Sequence, residues 1–392
     1  MFAVCVKIAY LHILPLEYYP PATNFLDILA LEEHLHVRAY STENQRERPP
    51  YKNAAVEIHR TRPPNPGALK IWRLLRVLGW HLKAAFSLSR FKPDTIIYIE
   101  PHSAIAAWLY FKLLRGKSRL FVHHHEYYEA SDYQRRGMKL PGLGARFEQD
   151  YLFSRAEWIS QTNKDRLRLA KSAHPNVSSE AWQTLPNYPP AAWGRSPETG
   201  RKRKERGDPL KIVYVGSASF EDTFIKNMVN WAAEHAGAVE LHICGYNVAK
   251  DVWDWLQRLG FSNVTYDRNG FNYDDLPDLL RDFDVGLVLY KGNTTNFVFN
   301  VPNKVFEYLR CGLEVWYPKE MKGIDNFREG RDLPLRKIDF LSLTDLKPVL
   351  ASRDRAWNST EEFTAEQAFA PLFYQLKQGR PLSSRAQAGV KS

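Results

Sequence analysis

The sequence predicts an α/β protein with two doubly wound parallel sheets facing a central cleft. Three observations predict it. Short apolar runs alternate with amphipathic ones through the first half of the chain. The same alternation restarts after a turn-rich, basic break. The 392 residues suffice for two domains of ordinary size. Each strand-like run is almost continuously apolar, as a parallel strand covered on both faces must be.

In the first half, Phe2–Ala9 reads as a strand and Asn24–Leu35 as a helix. Val37–Tyr40 and Ala55–His59 read as strands, and Leu69–Ser89 as a long helix. Thr95–Ile99 is a strand, His102–Leu114 a helix, Arg119–His123 a strand and Trp158–Ser160 another. The break begins with the turn-rich Leu185–Pro190 and continues through a polar stretch carrying RKRKER at 201–206. That cluster reads as a solvated interdomain linker before it reads as an anion site.

The second half opens with a strand at Lys211–Val215 that runs into Gly216 and Ser217. A helix at Ile225–His235 leads to a strand at Val239–Cys244 ending in Gly245. Then come a helix at Val252–Leu259, a strand at Val264–Tyr266, a helix at Tyr273–Asp282 and a strand at Val285–Leu289. A helix at Lys304–Cys311 and a strand at Leu313–Tyr317 complete the repeat, and Phe363–Leu376 is a last helix. Both halves thus read as Rossmann-like domains, whose ligands bind beyond the carboxyl ends of the strands.

Composition narrows the function. A hydrophobic fraction of 44% and a charged fraction of 25% belong to a globular chain. No apolar run reaches the ~18 residues that a membrane-spanning helix needs. The apolar N-terminus is interrupted by Lys7 and has neither a basic start nor a small-residue cleavage site, so it reads as a buried strand and not a signal peptide. Cys5, Cys244 and Cys311 are far apart in apolar segments and read as reduced core thiols of a cytoplasmic protein, with no zinc spacing among them. The net charge of +10 favours an anionic partner. Nucleic acid is not expected, because no helix-turn-helix, zinc or RNA-recognition signature accompanies the charge.

The segment Asn300–Gly312, NVPNKVFEYLRCG, carries the most chemistry. Pro302 and Asn303 open a helix whose N-terminus offers free N–H groups and the positive end of a dipole. Lys304 adds a charge there, and Glu307 lies one turn on, where a carboxylate can accept sugar hydroxyls. The segment reads either as a capped helix or as a nucleotide-sugar grip. The Leu69–Ser89 helix also has two readings. Ile71, Leu74, Leu75, Leu78 and Leu82 share one face at about 100° per residue, while Trp72, Val77 and Trp80 fall among Lys70, Arg73, Arg76, Lys83 and Arg90. With the leucines in a core it is a surface helix; as a basic, Trp-bearing helix it suits an anionic membrane interface.

Several landmarks in order resemble a retaining GT-B glycosyltransferase of the family four (group 1) type. They are Tyr214–Ser217, Ile243–Gly245, Asp284–Val288 and the Asn300–Trp316 segment, preceded by FVHHHE at Phe121–Glu126, Ser160–Thr162 and Leu185–Asn187. The resemblance spans roughly Val4 to Pro318. It implies an acceptor domain at 1–192, a linker at 193–209 and a nucleotide-sugar domain at 210–355. A C-terminal helix and tail at 356–392 would pack back toward the first domain. It implies a nucleoside-diphosphate sugar as substrate, a glycan or lipid-linked acceptor, retention at the anomeric carbon, and no cofactor or metal. The donor would be held by Gly216, Ser217, Lys226, Gly245, Asn300, Pro302, Asn303, Lys304 and Glu307. His125, Glu126 and Lys304 would be the catalytic residues. Three successive histidines also suggest a metal, but strand alternation sends neighbours to opposite faces. Acceptor loops are expected at Pro20–Asn24 and Glu126–Leu140.

The sequence departs from the family pattern at two places. Phe299 stands where the first Glu of a paired-Glu motif is expected, and Ser217 where an Arg is usual. Two readings follow: a transferase of surface polysaccharide or glycoconjugate synthesis, cytoplasmic and peripheral to the inner membrane face through residues 69–90, or a catalytically inactive GT-B scaffold that binds a glycan or partner.

Overall fold

A computed structural model describes residues 5–44, 49–135, 137–194, 208–245, 247–268, 270–344 and 362–377. The basic run at 201–206, residues 2–4 of the first expected strand and the C-terminal tail after 377 lie outside the described residues. The architecture is two-domain α/β, with two parallel sheets and helices between their strands. The chain divides into two compact units, Met1–Asn187 with Ala365–Ser392, and Tyr188–Thr364.

In the first unit the strands are β1 (Val6–Leu11), β2 (Leu35–Thr42), β3 (Val56–Thr61), β4 (Thr95–Ile99), β5 (Arg119–His124), β6 (Ala156–Gln161) and β7 (Trp182–Thr184). They lie in the order β3-β2-β1-β4-β5-β6-β7, so the winding reverses between β1 and β4. The connecting helices are α1 (Pro20–Ala30), α2 (Lys70–Phe91), α3 (Glu100–Trp108), α4 (Lys139–Phe147) and α5 (Lys164–Ala173).

In the second unit β8 (Leu210–Val215), β9 (Val239–Cys244), β10 (Val264–Asp267), β11 (Val285–Leu287), β12 (Glu314–Pro318) and β13 (Leu335–Ile338) form a sheet. Its order is β10-β9-β8-β11-β12-β13, with the reversal between β8 and β11. The helices are α6 (Ile225–Glu234), α7 (Lys250–Leu259), α8 (Leu276–Leu280), α9 (Thr295–Val298), α10 (Asn303–Arg310) and α11 (Lys322–Arg328). The last helix, α12 (Ala365–Lys377), belongs to the first unit. Its Phe369 packs against Phe25 of α1 at 4.7 Å between ring centres, and Lys377 pairs with Glu32 at 3.0 Å.

Four sequence expectations are corrected. The first helix begins at Pro20, not Asn24, because two prolines fit the first turn, where the N–H groups have no helical partner. Pro20–Asn24 is therefore helix and not an acceptor loop. The expected Glu126–Leu140 loop ends in a helix, Lys139–Phe147, which forms despite two glycines. Gly144 is needed there because a Cβ would stand 2.0 Å from the Pro101 carbonyl oxygen on α3. Cys5 is exposed and not a core thiol, whereas Cys244 and Cys311 are buried and all three are free.

The fourth concerns α2. The face that packs on the sheet is Trp80, His81, Ala84, Ala85, Leu88 and Phe91, with the Trp80 indole N–H donated to the Ser41 carbonyl at 3.2 Å. Ile71, Leu74, Leu75 and Leu82 are exposed instead. The small Ala84 and Ala85 let the helix approach the sheet closely, which a leucine ridge would prevent. No helix among the described residues is long and apolar enough to cross a membrane.

The position of α10 is set by a single buried tyrosine. Gly286 of β11 lacks a side chain where the Tyr308 ring lies, and a Cβ there would stand 2.3 Å from that ring. The Tyr308 hydroxyl in turn accepts the Val215 N–H at 3.0 Å, at the end of β8. Gly286→Ala should therefore destabilise the second unit by about 1–3 kcal/mol through overpacking. Urea unfolding followed by the fluorescence of its tryptophans measures this as a lower midpoint at unchanged slope.

Candidate functional site

In the second unit, three of the residues named for the donor, Gly216, Gly245 and Lys304, meet near the point where the sheet order reverses, whereas the Lys226 side chain has no described contact with them. Gly216 follows β8 with φ +143°, a conformation that L side chains rarely adopt. A Cβ on Gly216 would meet Lys304 Nζ at 2.5 Å. Gly245, after β9, is as tightly held: its Cβ would stand 2.1 Å from the Gly216 carbonyl oxygen. The Gly216 N–H donates to the Cys244 carbonyl at 2.9 Å, which joins the two glycine turns. Tyr214 donates its hydroxyl to the Ser217 carbonyl and fixes the turn from below.

Lys304, in the first turn of α10, points at this pair of turns. The residue is 7% exposed, and its ammonium has no ion pair among the described residues; only tyrosine hydroxyls stand beside it there. It lies 4.7 Å from the centre of the Tyr214 ring and 4.8 Å from that of Tyr290. Burial lowers its pKa, while Tyr214, Tyr290 and Glu307 raise it, and the balance leaves it above the ordinary lysine value. An unpaired charge in such a place is costly unless an anion arrives to meet it. Pro302 occupies the N-cap without any side-chain cap, so the first N–H groups of α10 are not taken by a capping side chain. Asn300, just before it, is buried, and Asn303 starts the helix.

Glu307 lies three residues beyond Lys304 on the same helix face. Its carboxyl is pushed up to about 7 by burial, against the opposing pull of Lys304 and a Tyr273 hydrogen bond. It is thus poised to exchange its proton for a hydroxyl donor near neutral pH. Lys226 is exposed on α6 and has no ion pair among the described residues. Ser217 is exposed at the turn. Phe299 is half-buried, and Gly323 of α11 packs on its backbone so closely that a Cβ would stand 2.6 Å away. Of the aromatic walls around the cation, Tyr214 was named only as the start of the glycine turn, and Tyr290 carries no motif and was not legible in the sequence.

In the first unit, the histidines separate as strand alternation requires. The rings of His123 and His125 meet at 4.6 Å, while His124 pairs with Glu148 at 2.9 Å. Burial first, and then the neighbouring histidines, lower His125 well below the usual range and His123 to about 3. His125 approaches the Asn187 carboxamide oxygen at 3.2 Å, and its Nε2 has no hydrogen-bond partner among the described residues. Glu126 accepts Arg166 Nη2 at 3.0 Å.

The residue that builds this turn is one that sequence reasoning missed. Glu100 follows β4 with φ +64°, a strained value for a side-chain-bearing residue. Its Oε1 accepts the N–H groups of His125 at 2.6 Å and Glu126 at 2.9 Å, while its Oε2 has no hydrogen-bond partner among the described residues. Burial pushes its carboxyl up to about 7. A positive φ on Glu, between a strand and a Pro, has no readable sequence signal.

No protein-family model matches the chain, and no curated protein matches it. Solved structures do. Sucrose-phosphate synthase from Thermosynechococcus elongatus superimposes with a TM-score of 0.67 at 13% identity, covering 96% of this chain and 100% of that one. Anabaena HepE, solved in complex with UDP and glucose, gives 0.61 at 12% identity over 95% of this chain and 100% of that one. WaaG, a glycosyltransferase involved in lipopolysaccharide biosynthesis, gives 0.59 at 15% identity, covering 95% and 98%. At such identities the likeness is one of fold, and the fold is GT-B.

The raised carboxyl makes stability depend on pH. Between the ordinary glutamate value of 4.5 and about 7, the unfolded chain loses the Glu307 proton while the fold keeps it. Stability contributed at this position therefore falls as pH rises through that window, by up to about 3 kcal/mol. Glu307→Gln removes the effect. Its melting temperature relative to the parent should climb from pH 5 to pH 8 in paired thermal melts; a constant difference would contradict the assignment.

Proposed function

We propose that the protein is a glycosyltransferase that takes a sugar from a nucleoside-diphosphate donor and passes it to a glycan or lipid-linked glycan acceptor. One observation carries the reading: the buried ammonium of Lys304, without an ion pair among the described residues and held between two tyrosine rings against the Gly216 turn and the open N-terminus of α10. Backbone N–H groups, a helix dipole and a lysine are the equipment for a diphosphate. The fold shared with HepE, solved in complex with UDP and glucose, agrees with such a donor.

In this mechanism Lys304 and the N-terminus of α10 stabilise the charge that develops on the leaving diphosphate, so the step needs no metal ion. Glu307 accepts hydroxyls of the donor ribose. The sugar departs and returns on one face, with retention. On the acceptor side, His125 is neutral at physiological pH and can hydrogen-bond a hydroxyl, while Glu126 is held by Arg166. The inactive-scaffold reading rests on Phe299. It predicts nucleotide binding at most, and no consumption of donor with or without acceptor.

The reading extends to place. The exposed Ile71, Trp72, Leu75, Leu82 and Phe86 of α2 stand among the exposed cations Lys70, Arg73, Arg76, Lys83 and Arg90. Charge and apolar surface together suit an anionic bilayer, to which each basic residue near the surface adds roughly 1 kcal/mol. On this reading the enzyme works in the cytoplasm, peripheral to the membrane, in polysaccharide or glycoconjugate synthesis.

Two measurements test these statements. UDP or GDP should raise the melting temperature without added metal, and Lys304→Ala should weaken binding about tenfold or more by calorimetry. If neither nucleotide binds, the donor site is wrong. Vesicles with phosphatidylglycerol should sediment the protein and pure phosphatidylcholine should not, with Trp72→Ala plus Leu75→Ala reducing the bound fraction several-fold. Equal sedimentation by both vesicle types would remove the membrane reading.

A further inference from the structure

The first unit contains a pocket of about 800 Å3 that the donor reading does not use. It lies between the loop after β5, α4 with its following turn, and α5, near the carboxyl ends of β5 and β6. Its volume is within the range of small-molecule sites, about 300–1,000 Å3.

The floor is polar and built. The His124 ring and the Glu148 carboxylate form a buried pair at 2.9 Å. The Gln161 carboxamide, 2% exposed, sets its Nε2 3.4 Å from His124 Nδ1 and leaves its Oε1 without a partner. The Trp182 indole N–H, on a residue 5% exposed, is likewise unpartnered. The walls are aromatic. Phe153 and Trp182 meet edge to face at 5.7 Å on one side. Tyr128 and Tyr133 lie 5.7 Å apart on the other, with Tyr133 seated on Gly142 of α4.

The combination selects a ligand class. An apolar ligand would cover the carboxamide oxygen and the indole N–H without satisfying them. The cations that line the pocket, Lys139 and Arg146, are exposed at its rim, while on the buried floor Glu148 holds His124, so a phosphate seated at depth would meet no unpaired cation among the described residues. A sugar ring answers both surfaces: its C–H face stacks on an aromatic ring, and its hydroxyls donate and accept in fixed directions.

We propose that this pocket is an oligosaccharide-binding subsite, with Gln161, Trp182 and the His124–Glu148 pair contacting hydroxyls and Tyr133 stacking on a ring. It deepens the acceptor half of the proposed function and does not depend on the donor half, because the subsite lies within the first unit. Its role is to hold a portion of the acceptor glycan while the terminal hydroxyl reacts.

The test uses the full chain with no nucleotide present. Trisaccharides of glucose, mannose and galacturonate are titrated by saturation-transfer NMR. The expected result is saturation of ring protons of at least one, with binding weakened about fivefold or more by Gln161→Leu and by Tyr133→Ala. Tyr133 is only half-buried, so its variant is a check should the Gln161 variant unfold, and thermal melts report folding in both. No binding by any trisaccharide, or binding unchanged in the folded Tyr133 variant, overturns the proposal. Either outcome leaves the UDP titration at Lys304 untouched, so the two readings fail separately.

Discussion

The second unit is organised by the contact between Tyr308 and Gly286. A full tyrosine side chain lies where every other residue type on β11 would place its own Cβ. That contact draws α10 down onto the sheet, and the same tyrosine's hydroxyl ties the helix to the last N–H of β8. Lys304 is four residues, about one turn, before Tyr308, so the constraint carries its ammonium to the mouth of the Gly216 turn. The glycine there has to be a glycine twice over, for its φ and for the lysine that fills its side-chain space. A buried cation, two bare backbone turns and an uncapped helix thus come from one packing decision in the core.

The two units solve a similar problem with opposite charges. In the second unit the winding reverses between β8 and β11, and a lysine waits there. In the first it reverses between β1 and β4, and a glutamate with a strained backbone follows β4. Glu100 uses one oxygen to hold the amides of His125 and Glu126, which fixes the two side chains singled out for the acceptor. Strain of this kind persists only where the surroundings over-determine it. Here two N–H donors and a following proline at the start of α3 do so.

Much of this was legible in the sequence, for identifiable reasons. The strands were readable because parallel strands covered on both faces are apolar throughout: β4 and β9 fall on the predicted residues. Gly216, Gly245 and Lys304 were readable because a glycine turn after a strand and a lysine at a helix start occupy fixed places in such a fold. The packing face of α2 was not, because the strongest apolar stripe is exposed, and only Ala84 and Ala85, which carry little hydrophobic signal, mark the close approach. Helix α4 had no reading in the sequence beyond the loop expected up to Leu140, because Pro141, Gly142 and Gly144 give no helical signal until Gly144 is seen against the Pro101 carbonyl. Tyr290 and Glu100 were unreadable, and Tyr214 was readable only as the start of a glycine turn, because their roles exist only once distant strands meet.

The first unit is discontinuous in sequence, and this bears on how the chain is made. Its apolar face against α1 is completed by Phe369, Leu372 and Phe373, residues that leave the ribosome after the entire second unit. The second unit, by contrast, is one uninterrupted stretch. Synthesis therefore runs N-terminal first, while completion runs in the reverse order. The earliest-made sheet must wait with an uncovered apolar strip until the last helix is released. A nascent chain of this design depends on a holding chaperone, or on speed, in a way that a protein with two contiguous domains does not.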